Sequence, residues 1–256
     1  MRETRPAALA GVGAPAALVA LAVGLALVPV LAAAEVPQWP RFRGPDGVGV
    51  VDATGIPAAW TDADVNWRVT LPGGGHSSPV VWGDRVFVTA ADEASAKRIV
   101  VCLKVSDGSV LWHREFDSKP CHLNGLNSYA SQTPAVDAGR VVVCWATPEE
   151  FPVVALDHDG RDLWRRDLGP FKSQHGHGAS PILFDGLAIV TNDQQGPSFI
   201  VALGAADGKT RWQTERRAER AAYSVPSVFR PEGRPPQLIL TASSCGMTSL
   251  DPASGK

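Results

Sequence analysis

The chain has 256 residues, is 45% hydrophobic and 20% charged, and carries a formal net charge of −2. That length can bury a sizeable core, and the near-neutral balance lacks the electrostatic signature of nucleic-acid or anionic-membrane binding. Twenty-five Gly and 21 Pro against two Met imply many turns and little helix.

The first 34 residues read as a leader rather than as fold. Arg2 and Arg5 make a basic start, residues 16–27 are an unbroken apolar core, and Pro29 interrupts it. Ala32 and Ala34 then place small residues three and one positions before Glu35. This is the pattern of a secretory signal peptide, and it implies export to the periplasm or beyond. If the leader is retained, the apolar run from Ala7 to Ala34 is long enough to span a bilayer instead. With the leader cleaved, no stable membrane anchor is expected.

Residues 35–64 are rich in Pro and Gly and predict an irregular arm, with Trp39, Phe42 and Trp60 available to pin it to the body. Residues 65–71 then predict one isolated strand that carries Trp67. From there to residue 256 the sequence repeats itself. Asp107-Gly108 is followed by Trp112, Asp159-Gly160 by Trp164, and Asp207-Gly208 by Trp212. The glycines are 52 and 48 residues apart, and Ser254-Gly255-Lys256 restarts the pattern 47 residues later. A second marker keeps the same phase: Pro79, Pro134, Pro181 and Pro226 each open an apolar run, at spacings of 55, 47 and 45. Self-similarity at this period signals a repeat architecture.

Within each repeat, short Val/Ile/Leu/Phe runs alternate with Gly and Asp turn residues. In the first they predict strands near 77–82, 85–91, 98–105 and 110–116. The fold class is therefore all-β, a β-propeller of four-stranded antiparallel blades at about 77–116, 132–168 and 179–215, with an incomplete one at 223–256. In such blades the turns between strands one and two, and three and four, share one face. Here those turns are short. The opposite face receives the long polar connections, including KPCHLNGLNSYA at 119–130 and GPFKSQHGHG at 169–178. Function is expected on that loop-rich face.

Nine residues are the ligand-binding candidates there: His76, Asn124, Asn127, Tyr129, Gln174, His175, His177, Asp193 and Tyr223. A polar funnel with scattered aromatics suits a protein segment or a small polar ligand. His76, His175 and His177 are also the available metal ligands, and Asp92-Glu93, Glu149-Glu150 and Asp193 the available calcium ligands. A loop-bonding role and a solvated acidic rim are the plainer readings. Arg216, Arg217 and Arg220 read as part of a solvated mixed-charge loop. No nucleophile–base order, phosphate loop or paired carboxylate selects a catalytic residue. The four cysteines lack metal spacing; in an exported chain they could form two disulfides in three possible pairings, but Cys102 and Cys144 fall inside apolar strands, and buried or unpaired thiols are the plainer reading.

The pattern Ala155-Leu156-Asp157…Gly160…Trp164, with its partner Ala202-Leu203…Asp207-Gly208…Trp212, resembles the quinoprotein-type (PQQ-like) propeller repeat. That repeat occurs in pyrroloquinoline-quinone (PQQ) alcohol dehydrogenases and in BamB-type assembly factors. The opening Trp39-Pro40-Arg41-Phe42-Arg43-Gly44-Pro45 is similar to the start of exported members. The resemblance implies that Trp67, Trp112, Trp164 and Trp212 dock neighbouring blades, and that the ring has seven or eight blades of which this chain holds part. A four-bladed ring closed by residues 65–71 is the alternative. It also implies PQQ and Ca²⁺ as possible cofactors. The family's dehydrogenases, however, use an adjacent Cys-Cys pair that is absent here, so their catalytic residues are not carried over. The expectation is an exported, non-enzymatic binding or assembly scaffold. A periplasmic PQQ-dependent oxidoreductase is the alternative, and a hydrolase or sugar-binding propeller the third reading.

Overall fold

The computed structural model describes residues 38–256; the expected leader lies outside them. They build four antiparallel sheets, each from strands consecutive in the chain. The first contains β1 (Gln38–Trp39), β2 (Val80–Trp82), β3 (Arg85–Ala91), β4 (Arg98–Lys104) and β5 (Val110–Phe116). The second contains β6 (Ala135–Asp137), β7 (Arg140–Cys144), β8 (Pro152–Leu156) and β9 (Asp162–Asp167). The third contains β10 (Ile182–Phe184), β11 (Leu187–Asn192), β12 (Ser198–Gly204) and β13 (Thr210–Arg216). The fourth contains β14 (Ser227–Phe229), β15 (Gln237–Ala242) and β16 (Gly246–Leu250). A single 3-10 turn at Asp62–Asp64 is the only helical element among the described residues, and no helix there could cross a membrane.

The middle strands of the first three sheets are nearly continuous apolar runs because those sheets are buried on both faces, whereas β15 of the fourth alternates between buried and more exposed residues. One face of the first sheet (Phe87, Val100, Cys102) packs on Val141, Val143 and Val154 of the second. The second sheet's other face (Val142, Val153, Ala155) meets Ala188, Val190 and Val201 of the third. Ile189, Ile200 and Ala202 then meet Leu238 and Leu240 of the fourth. The free face of the first sheet (Val88, Ile99, Val101) is covered by Trp67, Val69 and Leu71.

The joints between sheets repeat. Nε1 of Trp67, Trp112, Trp164 and Trp212 donates to the carbonyls of Val105, His158, Ala205 and Pro252, each at 2.8 Å. Each indole lies against the glycine of the next Asp-Gly or Ser-Gly turn: Gly108, Gly160, Gly208 and Gly255. All four glycines sit in the left-handed region, with φ between 65° and 80°, where a side chain is strained. A register shift recurs at Cys102/Leu103, Ala155/Leu156 and Ala202/Leu203, next to three of these turns. The Asp side chains close the turns by accepting backbone N–H groups, as Asp107 does from Ser109 at 2.9 Å.

Two stretches differ from the sequence reading. Residues 65–71 are extended and alternate between half-buried and exposed like a strand, yet make no ladder. Their hold on the body is the apolar face of Trp67, Val69 and Leu71 together with the Trp67 indole bond to Val105. The arm, in turn, is only partly irregular. Gln38 and Trp39 pair with Trp82 and Val81, the Pro40 carbonyl accepts from Val136 N–H at 2.8 Å, and the Arg41 guanidinium donates to the Pro226 carbonyl. Asp46 pairs with Arg230. The arm thus ties the first strands of the first, second and fourth sheets together. Trp60 takes no part and is 71% exposed.

Candidate functional site

The alternation of strands sends the β3–β4, β5–β6, β7–β8, β9–β10 and β11–β12 connections to one face. Four of them converge on a groove of about 510 Å³, within the size range of ligand pockets. Ala146, Pro148, Pro170, Phe171 and Pro197 give it an apolar lining, and His122, Lys172, Ser173 and Gln195 are polar groups in the same lining. Proline rings fix much of this wall because their φ angles cannot relax.

Gln194 holds the groove in shape. Its Oε1 accepts from Lys172 N–H at 2.8 Å, while its Nε2 donates to the Pro170 carbonyl at 3.1 Å and to Asn192 Oδ1 at 3.0 Å. Backbone bonds from Phe171 N–H to the Thr147 carbonyl (3.1 Å) and from Gln195 N–H to the Lys172 carbonyl (2.9 Å) complete the clamp. The Thr147 hydroxyl accepts from Glu149 and Glu150 N–H, each at 3.2 Å. A site so cross-braced is formed before any ligand arrives.

The nine candidates separate into several environments. Gln174, His175 and Tyr223 share a smaller depression of about 100 Å³ with Arg220 and Ser243, next to the groove through Gln195. Asn127 joins the two long loops: its Nδ2 donates to the His175 carbonyl at 2.6 Å and to the His177 carbonyl at 3.3 Å. Asn124 caps the turn in its own loop, accepting from Leu126 N–H at 3.0 Å. His76 is exposed and bonds through its backbone, to the Ala130 carbonyl and the Ser128 hydroxyl. Tyr129 is a brace; its hydroxyl bonds both the amide and the carbonyl of Cys121.

His177 and Asp193 face inward. The His177 ring packs edge-on against Phe151 and Phe171 at 4.5 and 5.1 Å, and Gln132 Nε2 lies 3.0 Å from its Nδ1. Burial, reinforced by the Arg98 charge, pushes its pKa down to about 3, so the ring is neutral at ordinary pH. It diverges from His175 because the intervening Gly176, at φ +84°, breaks the extended alternation that would otherwise put residues two apart on one side. Asp193 pairs with Arg216 at 2.7 Å, both side chains being only 3% exposed. Arg216 further donates to Thr248 at 3.0 Å. The mixed-charge run after Trp212 is therefore not wholly solvated: its first arginine is buried because its partner loop supplies a carboxylate. Burial raises the Asp193 pKa, with Arg216 opposing. Thr147, Phe171, Lys172 and Gln194, which shape the groove, were not singled out by sequence reasoning. The only signal was the Pro beside each of their loops.

Four stacked antiparallel sheets joined by Trp-on-Gly contacts define the class, a β-propeller of PQQ-like repeats. The family model described as outer membrane protein assembly factor BamB (PQQ_2) matches residues 45–144 and 149–256, and the chain belongs to that family. Over 196 residues it is 26% identical to a polyvinylalcohol dehydrogenase of Pseudomonas sp, covering 69% of this chain and 29% of that protein. A quinohemoprotein alcohol dehydrogenase from Comamonas testosteroni superposes with a TM-score of 0.56 at 17% identity, over 86% of this chain and 40% of that one. BamB from Moraxella catarrhalis superposes with a TM-score of 0.50 at 16% identity, over 75% and 53% of the two chains. The chain thus spans between about a third and a half of the length of these relatives.

Proposed function

We propose that this chain is an exported binding module that holds an extended polypeptide segment in the groove of its loop-rich face. The observation that carries this reading is the groove itself, lined by both apolar and polar side chains and pre-braced by Gln194. A proline- and phenylalanine-lined trough favours an extended chain with apolar side chains, while Lys172 and Ser173 offer polar contacts. The description of the matching family as an assembly factor points the same way. Export rests on the basic start, apolar core and small-residue site of residues 1–34.

The test is a photo-crosslinker placed at Lys172 in the source cells, with Lys209 on the tight-turn face as control. A discrete crosslinked protein from position 172 alone is expected. Equal labelling from both positions, or none from either, would overturn the reading.

PQQ-dependent oxidation is the second reading, favoured by the sequence match to a polyvinylalcohol dehydrogenase. The described residues do not fit the cofactor set that the family's dehydrogenases use. The four cysteines are free and far apart in sequence, and no three His, Cys, Asp or Glu side chains among the described residues converge to hold a metal ion. Titration of the full chain with PQQ and Ca²⁺, with dye reduction on adding alcohols, separates the readings: saturable binding with turnover selects the oxidoreductase.

A further inference from the structure

Arg98, the first residue of β4, is 5% exposed, and no carboxylate among the described residues pairs with it. Its Nη1 donates to the Ala96 carbonyl at 2.5 Å, and its guanidinium lies 4.4 Å from the centre of the Tyr129 ring. Its Nε–H has no partner. Glu150, an acid whose charge it feels, is already paired with Arg165 at 3.1 Å. Burial lowers the Arg98 pKa only to about 10, so the group is a cation at neutral pH. A buried cation normally has a counter-charge.

A second buried residue of the same region also carries an unsatisfied donor. Trp145 is 3% exposed and its Nε1–H also lacks a partner. Arg98 and Trp145 line one small cavity together with Tyr129, Gln132 and Thr89. Its volume of about 10 Å³ leaves room for roughly one water-sized group. The hydroxyls beside it are committed: Tyr129 donates to the Cys121 carbonyl and Thr89 to the Gln132 carbonyl. The two orphaned atoms are donors, and one belongs to a full positive charge. The missing ligand is therefore an acceptor, and the uncompensated charge selects an anion over water.

We infer that the cavity between the first and second sheets, walled by Arg98 and Trp145, is a binding site for a halide-sized monovalent anion. The site lies under Tyr129, which braces Cys121 beside the groove, so an anion there would stiffen the 117–134 connection. This inference stands independently of what the groove binds.

Diffraction from crystals of the full chain soaked in sodium bromide reads the site directly. An anomalous peak within hydrogen-bond distance of both Arg98 and Trp145 Nε1 is expected; an ordered water with no anomalous signal would overturn the assignment. In solution, chloride should raise Tm saturably by about 2–4 °C over gluconate at equal ionic strength. Arg98→Gln should abolish that difference. Trp145→Phe, which keeps a ring in place, should raise the half-saturating chloride concentration about fivefold. The same Tm in both salts, or an unchanged chloride response in Trp145→Phe and in any folded Arg98→Gln protein, would refute the site.

Discussion

The indole of Trp112 rests so closely on Gly160 that a methyl group there would sit 2.9 Å from Cδ2 of the ring. The same indole donates to the carbonyl of His158, two residues before that glycine. One side chain of the first sheet thus reads both the shape and the polarity of a turn in the second. Trp67 on Gly108, Trp164 on Gly208 and Trp212 on Gly255 repeat the relationship, so the joint is a property of the repeat and not of one site.

Gly160→Ala should therefore be costly for two reasons. It places a side chain at φ +80° and drives it into the indole. Together these should cost about 2–4 kcal/mol. Gly233→Ala is the control: its φ is +65° and nothing lies within 4 Å of the added carbon, so about 1 kcal/mol is expected. Urea unfolding of the two variants measures the difference.

The Asp193–Arg216 pair should respond asymmetrically. Asp193→Ala leaves a buried guanidinium without its counter-charge and should cost about 3–5 kcal/mol. The double variant Asp193→Leu/Arg216→Met should regain most of that loss, because neither charge then has to be desolvated. If both variants lose the same stability in urea unfolding, the ion pair is a net contributor and the expectation fails.

His177 makes the fold sensitive to mild acid. Its folded pKa is depressed to about 3 from an ordinary value of 6.5, so the unfolded chain binds the proton more readily. Stability from this group is complete above pH 6.5 and falls as pH drops toward 3, by up to about 1.4 kcal/mol per pH unit. His177→Gln should flatten the profile in that window. Asp107 continues the trend at the acid end: the hydroxyl and amide of Ser109 lower its carboxyl from 3.8 to about 2, so the stability it contributes is lost between those two values. Tm measured from pH 8 to pH 2 tests both slopes.

The thiols should divide two and two. Burial pushes Cys102 up to about 12 and Cys144 higher still, and both are enclosed in apolar sheet interfaces. Cys121 and Cys245 are half-buried in connections. A thiol reagent should label at most two sites in the native chain and four in urea. Rapid native labelling of Cys144 would contradict the sheet packing.

Much of the fold is visible in the sequence because its punctuation is local. A glycine at positive φ, an aspartate that bonds its own turn and a Trp four residues after the Gly can each be read without knowing the rest of the chain. Their recurrence announces the sheets. The candidate site was less visible. His175 and His177 look equivalent on paper, but one is exposed and the other lies between Phe151 and Phe171. Asp193 looks like a rim acid until Arg216, 23 residues later, is brought beside it. Gln194 is one amide among several until the loop it braces lies next to it.

By itself the sequence determined the all-β class, the repeat period and the Gly and Trp positions at each joint, because these follow from backbone sterics and short-range spacing. Only the tertiary structure decided that Gln38 and Trp39 add a strand, that residues 65–71 dock without pairing, and which loop side chains are buried together. Those outcomes depend on which surfaces meet across long stretches of chain, where desolvation and charge pairing between distant residues outweigh any local preference.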